Sequence, residues 1–406
     1  MRIVIIGGGI AAVYTANALL EQNSDVEVLI VTDEAYPPYD RIHLCALVDA
    51  SETIDGVALE LNSTVKVELN QKITSIDTKE KHVYSKHAMF SYDKLIITSG
   101  SIPKTLFDIS QIPNATTFRS ADDSFKIAQN ISGKNVIIMG VGPIGLELLD
   151  TLSKMPEAKS ITLISRGDHL YSKDLNPFAI TLIQQIFEAD SRIQILFNDE
   201  IVNTTIEDNY LTQVFTKHLT IENPFLIFGV GITPNIDFAK ASLQTKKGVL
   251  VDDTMCSSDP EVYAVGESAE LRSSQFIAGR VKECTLQADV AIANILQIDT
   301  RTFKKEPAID GLKVGSFLFT DVSSPFYDAK SEDNEDIIIS AKKENRIDQY
   351  IINQDKLVRF IGINSNIDVL QLKKMMENST VVDPSYFYQN RLLSERGRII
   401  CSCESV

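Results

Sequence analysis

Two glycine-rich loops are the stretches of this chain best suited to do chemistry. Both follow the spacing G-x-G-x-x-G/A, at Gly7, Gly9 and Ala12 and, 133 residues later, at Gly140, Gly142 and Gly145. In this motif the first glycine permits a tight turn, the second lets backbone amides approach a pyrophosphate, and the third position needs a small side chain where helix meets strand. One copy is weak evidence, but two copies at matched spacing predict two dinucleotide sites.

The residue about 20 positions after each loop contacts the ribose of the bound nucleotide, and its charge favours either free hydroxyls or a 2′-phosphate there. The first copy ends at Asp33, whose carboxylate can accept both hydroxyls of an adenosine ribose, as in FAD. The second ends at Ser165 and Arg166, which offer no such carboxylate. Arg166 could pair with the 2′-phosphate of NADPH, or it could be a solvated residue on a turn. The choice between NADH and NADPH therefore stays open.

The elements that must position these loops alternate between strand and helix. "RIVIIG", "AAVYTANALL" and "VEVLIV" give the order strand, helix, strand, and "NVIIMG", "PIGLELLDTLSK" and "SITLIS" repeat it. Between them, "TVKVELNQKITSIDT" and "HVYSKHAMFSY" indicate a small antiparallel insertion. From about Gly311 the pattern changes to strands of alternating residues, together with one helix. The pattern predicts an α/β protein with two Rossmann-like dinucleotide-binding domains and a small C-terminal α+β domain.

Composition and charge exclude several classes of protein. A formal charge of −16 over 406 residues argues against nucleic acid or an anionic membrane as a main partner. No apolar run approaches the roughly 18 residues of a membrane span. The start "MRIVIIGGG" lacks the features of a signal peptide, so we expect a cytoplasmic location. The five scattered cysteines are typical of a reducing compartment.

Six segments, in order, carry a resemblance to a known family: "GGGIAA", "YPPYDRIHL", "LIITSGSIP", "GVGPIGLE", "IFGVGITPN" and "DPEVYAVGESAE". The chain resembles the FAD-dependent pyridine nucleotide-disulfide oxidoreductase superfamily. It is most similar to the flavoprotein part of NAD(P)H nitrite reductase large subunits and to rubredoxin reductases. The resemblance implies an FAD domain at 1–113 and 245–310, an NAD(P) domain at 114–244, a C-terminal α+β domain at 311–388 and a tail at 389–406.

The resemblance also implies roles for individual residues. Gly7, Gly9 and Asp33 would hold the FAD pyrophosphate and ribose, and Arg41 would contact the flavin nucleotide. Glu267, where many relatives have aspartate, would meet the ribityl chain. The remaining implied cofactor-binding residues are Ala12, Thr98, Ser99 and Gly100 beneath the FAD, Gly140, Gly142, Gly145, Ser165 and Arg166 on the NAD(P), and Gly231 and Gly266 within two of the matching segments.

Glu147 is the first candidate catalytic residue, because it matches a glutamate near the nicotinamide in the family. A carboxylate on a helix surface is the alternative. NAD(P)H would give a hydride to the flavin, and electrons would pass on to a redox partner protein, either a nitrite or nitrate reductase module or a rubredoxin-like carrier. Such carriers are often acidic, so we expect a local basic patch, with the tail residues Arg391, Arg396 and Arg398 as candidates.

Cys401 and Cys403 are the candidate metal ligands. In the nitrite and nitrate reductase relatives a C-x-C here precedes a C-x-x-C, and the four thiolates bind an iron-sulfur cluster. This chain has only the first pair, so a [2Fe-2S] cluster would require a longer protein. A vestigial pair, or two exposed thiols, are the alternatives.

Cys45 is the second candidate catalytic residue and supports a rival interpretation. The family's peroxide-, oxygen- and disulfide-reducing branches use cysteine near the flavin, so Cys45 could be a redox thiol. It could also be a small buried filler, as we expect for Cys256 and Cys284, and His43 beside it fits a structural role. A third class is a flavin-binding sensor or scaffold without turnover. The oligomeric state stays open, with a dimer as one option.

Overall fold

The computed structural model describes residues 1–172, 175–325, 327, 336–343 and 345–382, and the backbone of 394–395 and 398–399. Its strands are β1 (Arg2–Ile6), β2 (Glu27–Val31), β3 (Lys66–Glu68), β4 (Ile73–Asp77), β5 (His82–Ser85), β6 (Met89–Ser91), β7 (Lys94–Ile97), β8 (Ser101–Pro103), β9 (Ala115–Thr117), β10 (Asn135–Met139), β11 (Ser160–Ile164), β12 (Ile193–Leu196), β13 (Ile201–Glu207), β14 (Tyr210–Thr216), β15 (Thr220–Glu222), β16 (Pro224–Phe228), β17 (Ile232–Pro234), β18 (Val249–Val251), β19 (Val262–Ala264), β20 (Ala269–Leu271), β21 (Ala308–Val314), β22 (Phe317–Ser323), β23 (Asp336–Lys343), β24 (Arg346–Asn353), β25 (Lys356–Ile363), β26 (Ser394–Glu395) and β27 (Arg398–Ile399). Its α-helices are α1 (Ile10–Gln22), α2 (Leu44–Val48), α3 (Ala121–Asn130), α4 (Pro143–Ser153), α5 (Pro177–Glu188), α6 (Val281–Ile295) and α7 (Val369–Glu377).

The chain forms two compact units, each assembled from separate stretches. The first contains Met1–Leu106, Thr117–Ala128 and Val230–Lys304, and the second contains Phe107–Thr116, Gln129–Gly229 and Lys305–Val406. The five-part division inferred from the sequence stays a prediction about finer boundaries.

The first unit is built on a five-stranded parallel sheet in the order β19-β7-β1-β2-β3. Ile3, Val4 and Ile5 are all fully buried, so β1 shows no alternation between faces. Continuous apolar runs of this kind are typical of parallel strands that are covered on both sides. The helices α1 and α6 pack against each other, and the Tyr14 hydroxyl on α1 donates to Asp289 on α6 at 2.7 Å.

One strand differs from the sequence prediction of an antiparallel insertion. The alternating stretch divides: β3 pairs in parallel with β2 as the edge of the main sheet, whereas β4, β5 and β6 form a separate antiparallel sheet. The exposed residues Lys66 and Glu68 of β3 gave it the alternation of a surface strand, because an edge strand is only partly covered.

The second unit contains a five-stranded sheet in the order β12-β11-β10-β16-β9, with parallel pairing from β12 to β16. It also contains the antiparallel sheet β13-β14-β15 and the antiparallel C-terminal sheet β21-β22-β25-β24-β23. In β22, Phe317 and Phe319 are buried while Leu318 between them is exposed, the alternation of a sheet covered on one face. The helix α7 packs on this sheet, and Leu372 and Met376 lie in its core.

Candidate functional site

The first glycine loop, between β1 and α1, leaves space at its second glycine. Gly7 has φ +117°, and a Cβ there would lie 2.4 Å from the Thr98 carbonyl oxygen, so only glycine fits. Around Gly9 the nearest atom to an added Cβ would be Arg41 Nε, 3.8 Å away. Gly9 is the N-cap of α1 without a capping side chain, so the first amides of the helix are available to an anion. Ala12 is fully buried, as the third motif position requires.

Arg41 lies in a network that the sequence reading only partly anticipated. Its guanidinium forms an ion pair with Glu34 and donates to the Tyr39 hydroxyl at 3.0 Å. Tyr39 in turn donates to Glu34. Burial disfavours the charged guanidinium, but Glu34, Tyr39 and Asp33 together outweigh burial and raise the pKa of Arg41. Asp33 is exposed and adds to this raised pKa, so its carboxylate lies within electrostatic reach of Arg41.

Glu267 is held by two donors that the sequence analysis missed. The Ser101 hydroxyl donates to its carboxylate at 2.8 Å, and Arg119 forms an ion pair with the same oxygen. These two donors hold the Glu267 carboxylate beside the segment that contains Gly100. The preceding Gly266 has φ +76°, and its amide donates to the buried Gln287 at 2.7 Å.

Thr98, Ser99 and Gly100 form the turn that follows β7. Thr98 donates to the Ile6 carbonyl through both its amide and its hydroxyl, at 2.9 Å each, which fixes this turn to β1. A Cβ on Gly100 would lie 3.6 Å from the Glu267 carboxylate. The structure therefore brings this turn, the first glycine loop, Arg41 and Glu267 into one region of the first unit. Gly231 lies just before β17, has φ +103°, and accepts a hydrogen bond from the Lys104 amide.

Cys45 is half-buried in the short helix α2, directly after the turn that contains Arg41. His43 lies 3.5 Å from Asp40, which accepts a hydrogen bond from the Ile42 amide. Cys284 is buried, and a Cβ on Gly266 would lie 3.2 Å from its sulfur, so this cysteine is a close-packed filler as expected. Burial, together with the nearby Glu267, raises the pKa of Cys284 to about 12. Cys256 is half-buried rather than fully buried.

The second glycine loop, between β10 and α4, repeats the geometry of the first. Gly140 has φ +119°, and a Cβ there would lie 2.2 Å from the carbonyl oxygen of Gly229. Gly229 was not among the residues inferred from the sequence. A Cβ on Gly145 would lie 2.1 Å from the carbonyl oxygen of Gly140. Gly142, the N-cap of α4, is different, because an added Cβ would meet no described atom within 4 Å. Both loops can therefore accommodate a pyrophosphate at the second glycine.

Ser165 and Arg166 follow β11 and differ sharply in exposure. Ser165 is buried, and its hydroxyl donates to the His169 carbonyl at 3.0 Å, so this serine shapes its own loop. Arg166 is exposed, and no described residue pairs with it. Glu147 is half-buried on α4, and its carbonyl accepts from the Thr151 hydroxyl.

Cys401 and Cys403 lie outside the described residues, as do Arg391, Arg396 and the side chain of Arg398. The iron-sulfur prediction therefore stays a prediction. Across the described part of the chain no group of three or more histidine, cysteine or acidic residues could hold a metal ion. None of the described helices combines the length and the apolar character needed to cross a bilayer.

The chain is similar to several known proteins. The family described as pyridine nucleotide-disulphide oxidoreductase matches residues 1–292. The rubredoxin-NAD(+) reductase of Ectopseudomonas oleovorans is 28% identical over 284 residues, which is 67% of this chain and 73% of that protein. The assimilatory nitrate reductase electron transfer subunit of Bacillus subtilis (strain 168) is 26% identical over 66% of this chain but only 36% of its own length.

A solved structure extends the likeness to nearly the whole chain. The crystal structure of NADH:rubredoxin oxidoreductase from Clostridium acetobutylicum superimposes with a TM-score of 0.73 at 25% identity. The match covers 94% of this chain and 96% of that one. The likeness supports the α/β architecture with two Rossmann-like units predicted from the sequence.

Proposed function

Because the chain belongs to the pyridine nucleotide-disulphide oxidoreductase family, we propose that it takes electrons from NAD(P)H through FAD and passes them to a redox partner protein. The observation that carries this proposal is the pair of glycine loops, one in each unit. At the first glycine of each loop an added Cβ would collide with the backbone, and at the second glycine an added Cβ would have free space around it. One dinucleotide site would bind a cofactor, whereas two allow hydride transfer between two cofactors.

In this proposal the first unit binds FAD and the second binds NAD(P)H. FAD, when bound, would supply the hydride-accepting and electron-releasing chemistry. The amides at Gly9 and Gly142 would each hold a pyrophosphate at a helix N-terminus. Asp33 would accept the adenosine ribose hydroxyls of FAD, while Arg41 stays charged beside Glu34 and orients the nucleotide.

Two further residues are added to the site inferred from the sequence. Arg119 would fix the Glu267 carboxylate, which we assign to the ribityl chain, and Ser101 would supply the second hydrogen bond. Glu147 would lie near the nicotinamide and help to orient it. The protein's contribution is to position two flat rings and exclude water, since the electron chemistry belongs to the cofactors.

The acceptor that we favour is a small rubredoxin-like iron protein. The support is that the likeness to an NADH:rubredoxin oxidoreductase spans 94% of this chain. A nitrite or nitrate reductase module is the second candidate, supported by the likeness to the Bacillus subtilis electron transfer subunit. Both acceptors would take electrons from the same reduced flavin. The choice between them therefore depends on the surface of this protein that each acceptor recognises.

An anaerobic titration tests the proposal. The purified yellow protein is mixed with NADH and, separately, with NADPH, and the flavin absorbance is followed. We expect stoichiometric bleaching by at least one nucleotide, and fast reoxidation on addition of rubredoxin. Protein that binds flavin but is reduced by neither nucleotide would contradict the proposal and favour a sensor or scaffold. Reoxidation by a nitrate reductase module but not by rubredoxin would favour the second candidate.

A further inference from the structure

Tyr171 lies at the end of the segment 165–171, which follows β11 and contains Ser165 and Arg166, and it connects this segment to the second glycine loop. Its amide donates to the carbonyl oxygen of Val141 at 2.8 Å, and Val141 lies between Gly140 and Gly142. Tyr171 has φ +62°, a left-handed conformation that is unfavourable for a residue with a large side chain. Such a conformation persists only where surrounding contacts hold it.

The contacts that hold Tyr171 come from the C-terminal sheet. Its ring stacks on Phe319 of β22, with centroids 5.7 Å apart and planes at 26°. Its hydroxyl donates to Asp321 of the same strand at 3.3 Å. Burial, together with the nearby Asp321, raises the pKa of Tyr171, so the hydroxyl stays protonated and remains a donor.

Asp321 is itself fixed by a buried ion pair with Arg359 of β25. The guanidinium binds both carboxylate oxygens, with Nε 3.0 Å from Oδ1 and Nη2 2.6 Å from Oδ2. Only 12% of the Arg359 side chain and 8% of the Asp321 side chain are exposed. Arg359 also donates to the Ser172 hydroxyl at 3.3 Å, so the pair holds two successive residues of the loop.

The same sheet also contacts the two helices that follow these loops. The Gly315 amide, in the turn between β21 and β22, donates to Asp150 of α4 at 2.9 Å. The Asn176 amide, at the N-cap of α5, donates to Gln349 of β24, also at 2.9 Å. Asp150, Asn176 and Gln349 are all buried. Buried polar groups with satisfied partners fix one arrangement of the packed elements.

We propose that Tyr171, held by the Asp321–Arg359 pair of the C-terminal sheet, is a positioning residue for the nicotinamide nucleotide. Its amide binds the carbonyl of Val141 and thereby sets the conformation of the second glycine loop. The C-terminal sheet is then part of the support for the NAD(P) site as well as a separate layer. This inference rests on the proposed function, since it assigns that loop to the nicotinamide nucleotide.

Tyr171→Ala tests the inference in the full-length flavoprotein. Binding of NAD⁺ and NADP⁺ is measured by calorimetry, and steady-state kinetics are measured with ferricyanide. We expect the Kd and the KM for the preferred nucleotide to rise about tenfold, with kcat at saturation and flavin content unchanged. Tyr171→Phe keeps the ring but loses the hydrogen bond to Asp321, and we expect a rise of about threefold.

Tyr210→Ala is the matched control. Its hydroxyl also has a partner, Lys134 Nζ at 2.7 Å, but Lys134 precedes β10 whereas the glycine loop follows it. We expect unchanged nucleotide binding in this variant. Wild-type affinity in Tyr171→Ala, or in Tyr171→Phe should the alanine variant not fold, would overturn the positioning role alone. Wild-type protein that binds neither nucleotide would overturn the proposed function as well.

Discussion

At the scale of single residues, Cys45 distinguishes electron transfer from thiol chemistry. It is half-buried in α2, beside the turn that carries Arg41. If it is a filler, Cys45→Ser replaces sulfur by a hydroxyl at little cost, because the side chain is not fully buried. We expect NAD(P)H-dependent ferricyanide reduction in this variant within about twofold of wild type. The measurement is a steady-state rate with ferricyanide, followed by rates with hydrogen peroxide and a disulfide.

Cys256→Ser serves as the control, since Cys256 is also half-buried but its sulfur lies 3.6 Å from the Asp259 carbonyl, away from the candidate site. A wild-type protein that turns over peroxide or disulfide, and loses that activity only in Cys45→Ser, would support the rival interpretation. Loss of that activity in Cys256→Ser instead would point to general damage to the protein. A thiol relay needs an accessible thiolate, and Cys256 lies away from the candidate site.

Arg166 is the residue that can decide between the two nicotinamide nucleotides. It is exposed at the end of β11, and no described side chain pairs with it. If it binds a 2′-phosphate, Arg166→Gln removes a charge-assisted contact, and we expect the KM for NADPH to rise about tenfold while that for NADH stays constant. Lys159→Gln, exposed at the other end of β11, controls for loss of a positive charge. Equal KM changes for both nucleotides would assign Arg166 to the solvated turn.

At the scale of elements, the two glycine loops allow each cofactor site to be emptied alone. In Gly9→Ala the added methyl group lies 3.8 Å from Arg41 Nε, and in Gly142→Ala it meets no described atom within 4 Å, so the fold should tolerate both. A bound pyrophosphate would occupy that space. We expect Gly9→Ala to lose FAD but keep NAD(P)⁺ binding, and Gly142→Ala to keep FAD but bind NAD(P)⁺ at least tenfold more weakly. Flavin content and calorimetry measure the two effects.

The matched variants are Gly7→Ala and Gly145→Ala, whose methyl groups would collide with backbone oxygens at 2.4 and 2.1 Å. These should lower the melting temperature whether or not a cofactor is present, because the collision is within the protein. If Gly9→Ala and Gly142→Ala retained full FAD content and full nucleotide affinity, the glycines would not line the sites.

The elements also mark where sequence reasoning succeeds and where it ends. The glycine spacing predicted both loops, and the strand, helix, strand order around them predicted both parallel sheets. These features are visible in the sequence because the backbone conformation of a tight loop restricts the residues of a short motif. Lys66–Glu68 was misassigned because an edge strand of a parallel sheet alternates as a surface strand does. Arg119 was missed because its partner, Glu267, lies 148 residues away, and no local pattern records such a pair. Tyr171 was missed for the same reason, since Phe319 and Asp321 lie in a distant sheet.

At the scale of the whole molecule, buried acids with raised pKa values limit stability in alkali. The pKa of Cys284 is about 12 in the fold against an ordinary value of 9.0. The unfolded chain therefore releases this proton first, so the stabilisation is complete below pH 9 and is lost between pH 9 and pH 12. We expect this group to lower the free energy of unfolding by about 1 kcal/mol between pH 8 and pH 10.

Urea unfolding of the wild type and of Cys284→Ala at the two pH values checks this effect. The alanine variant should be less stable at pH 8, because it leaves a small cavity, but should lose less stability on going to pH 10. Thr285→Ala, on the neighbouring position of α6, should retain the wild-type pH dependence. Parallel curves for all three proteins would show that the Cys284 thiol does not titrate as described.

The net charge of −16 bears on how the whole molecule meets its acceptor. A small anion such as ferricyanide responds to the total charge, so its reduction should accelerate with added salt. An acidic carrier protein that docks on a local basic patch responds instead to the charges within about 10 Å, the Debye length at 0.1 M salt. We therefore expect rubredoxin reduction to slow several-fold between 10 and 200 mM salt. Neutralising Arg391, Arg396 and Arg398 together should reverse that sign for rubredoxin. Ferricyanide reduction in this variant should still accelerate with salt, because the net charge only becomes more negative. Acceleration of rubredoxin reduction by salt in the wild type would argue against any basic docking patch.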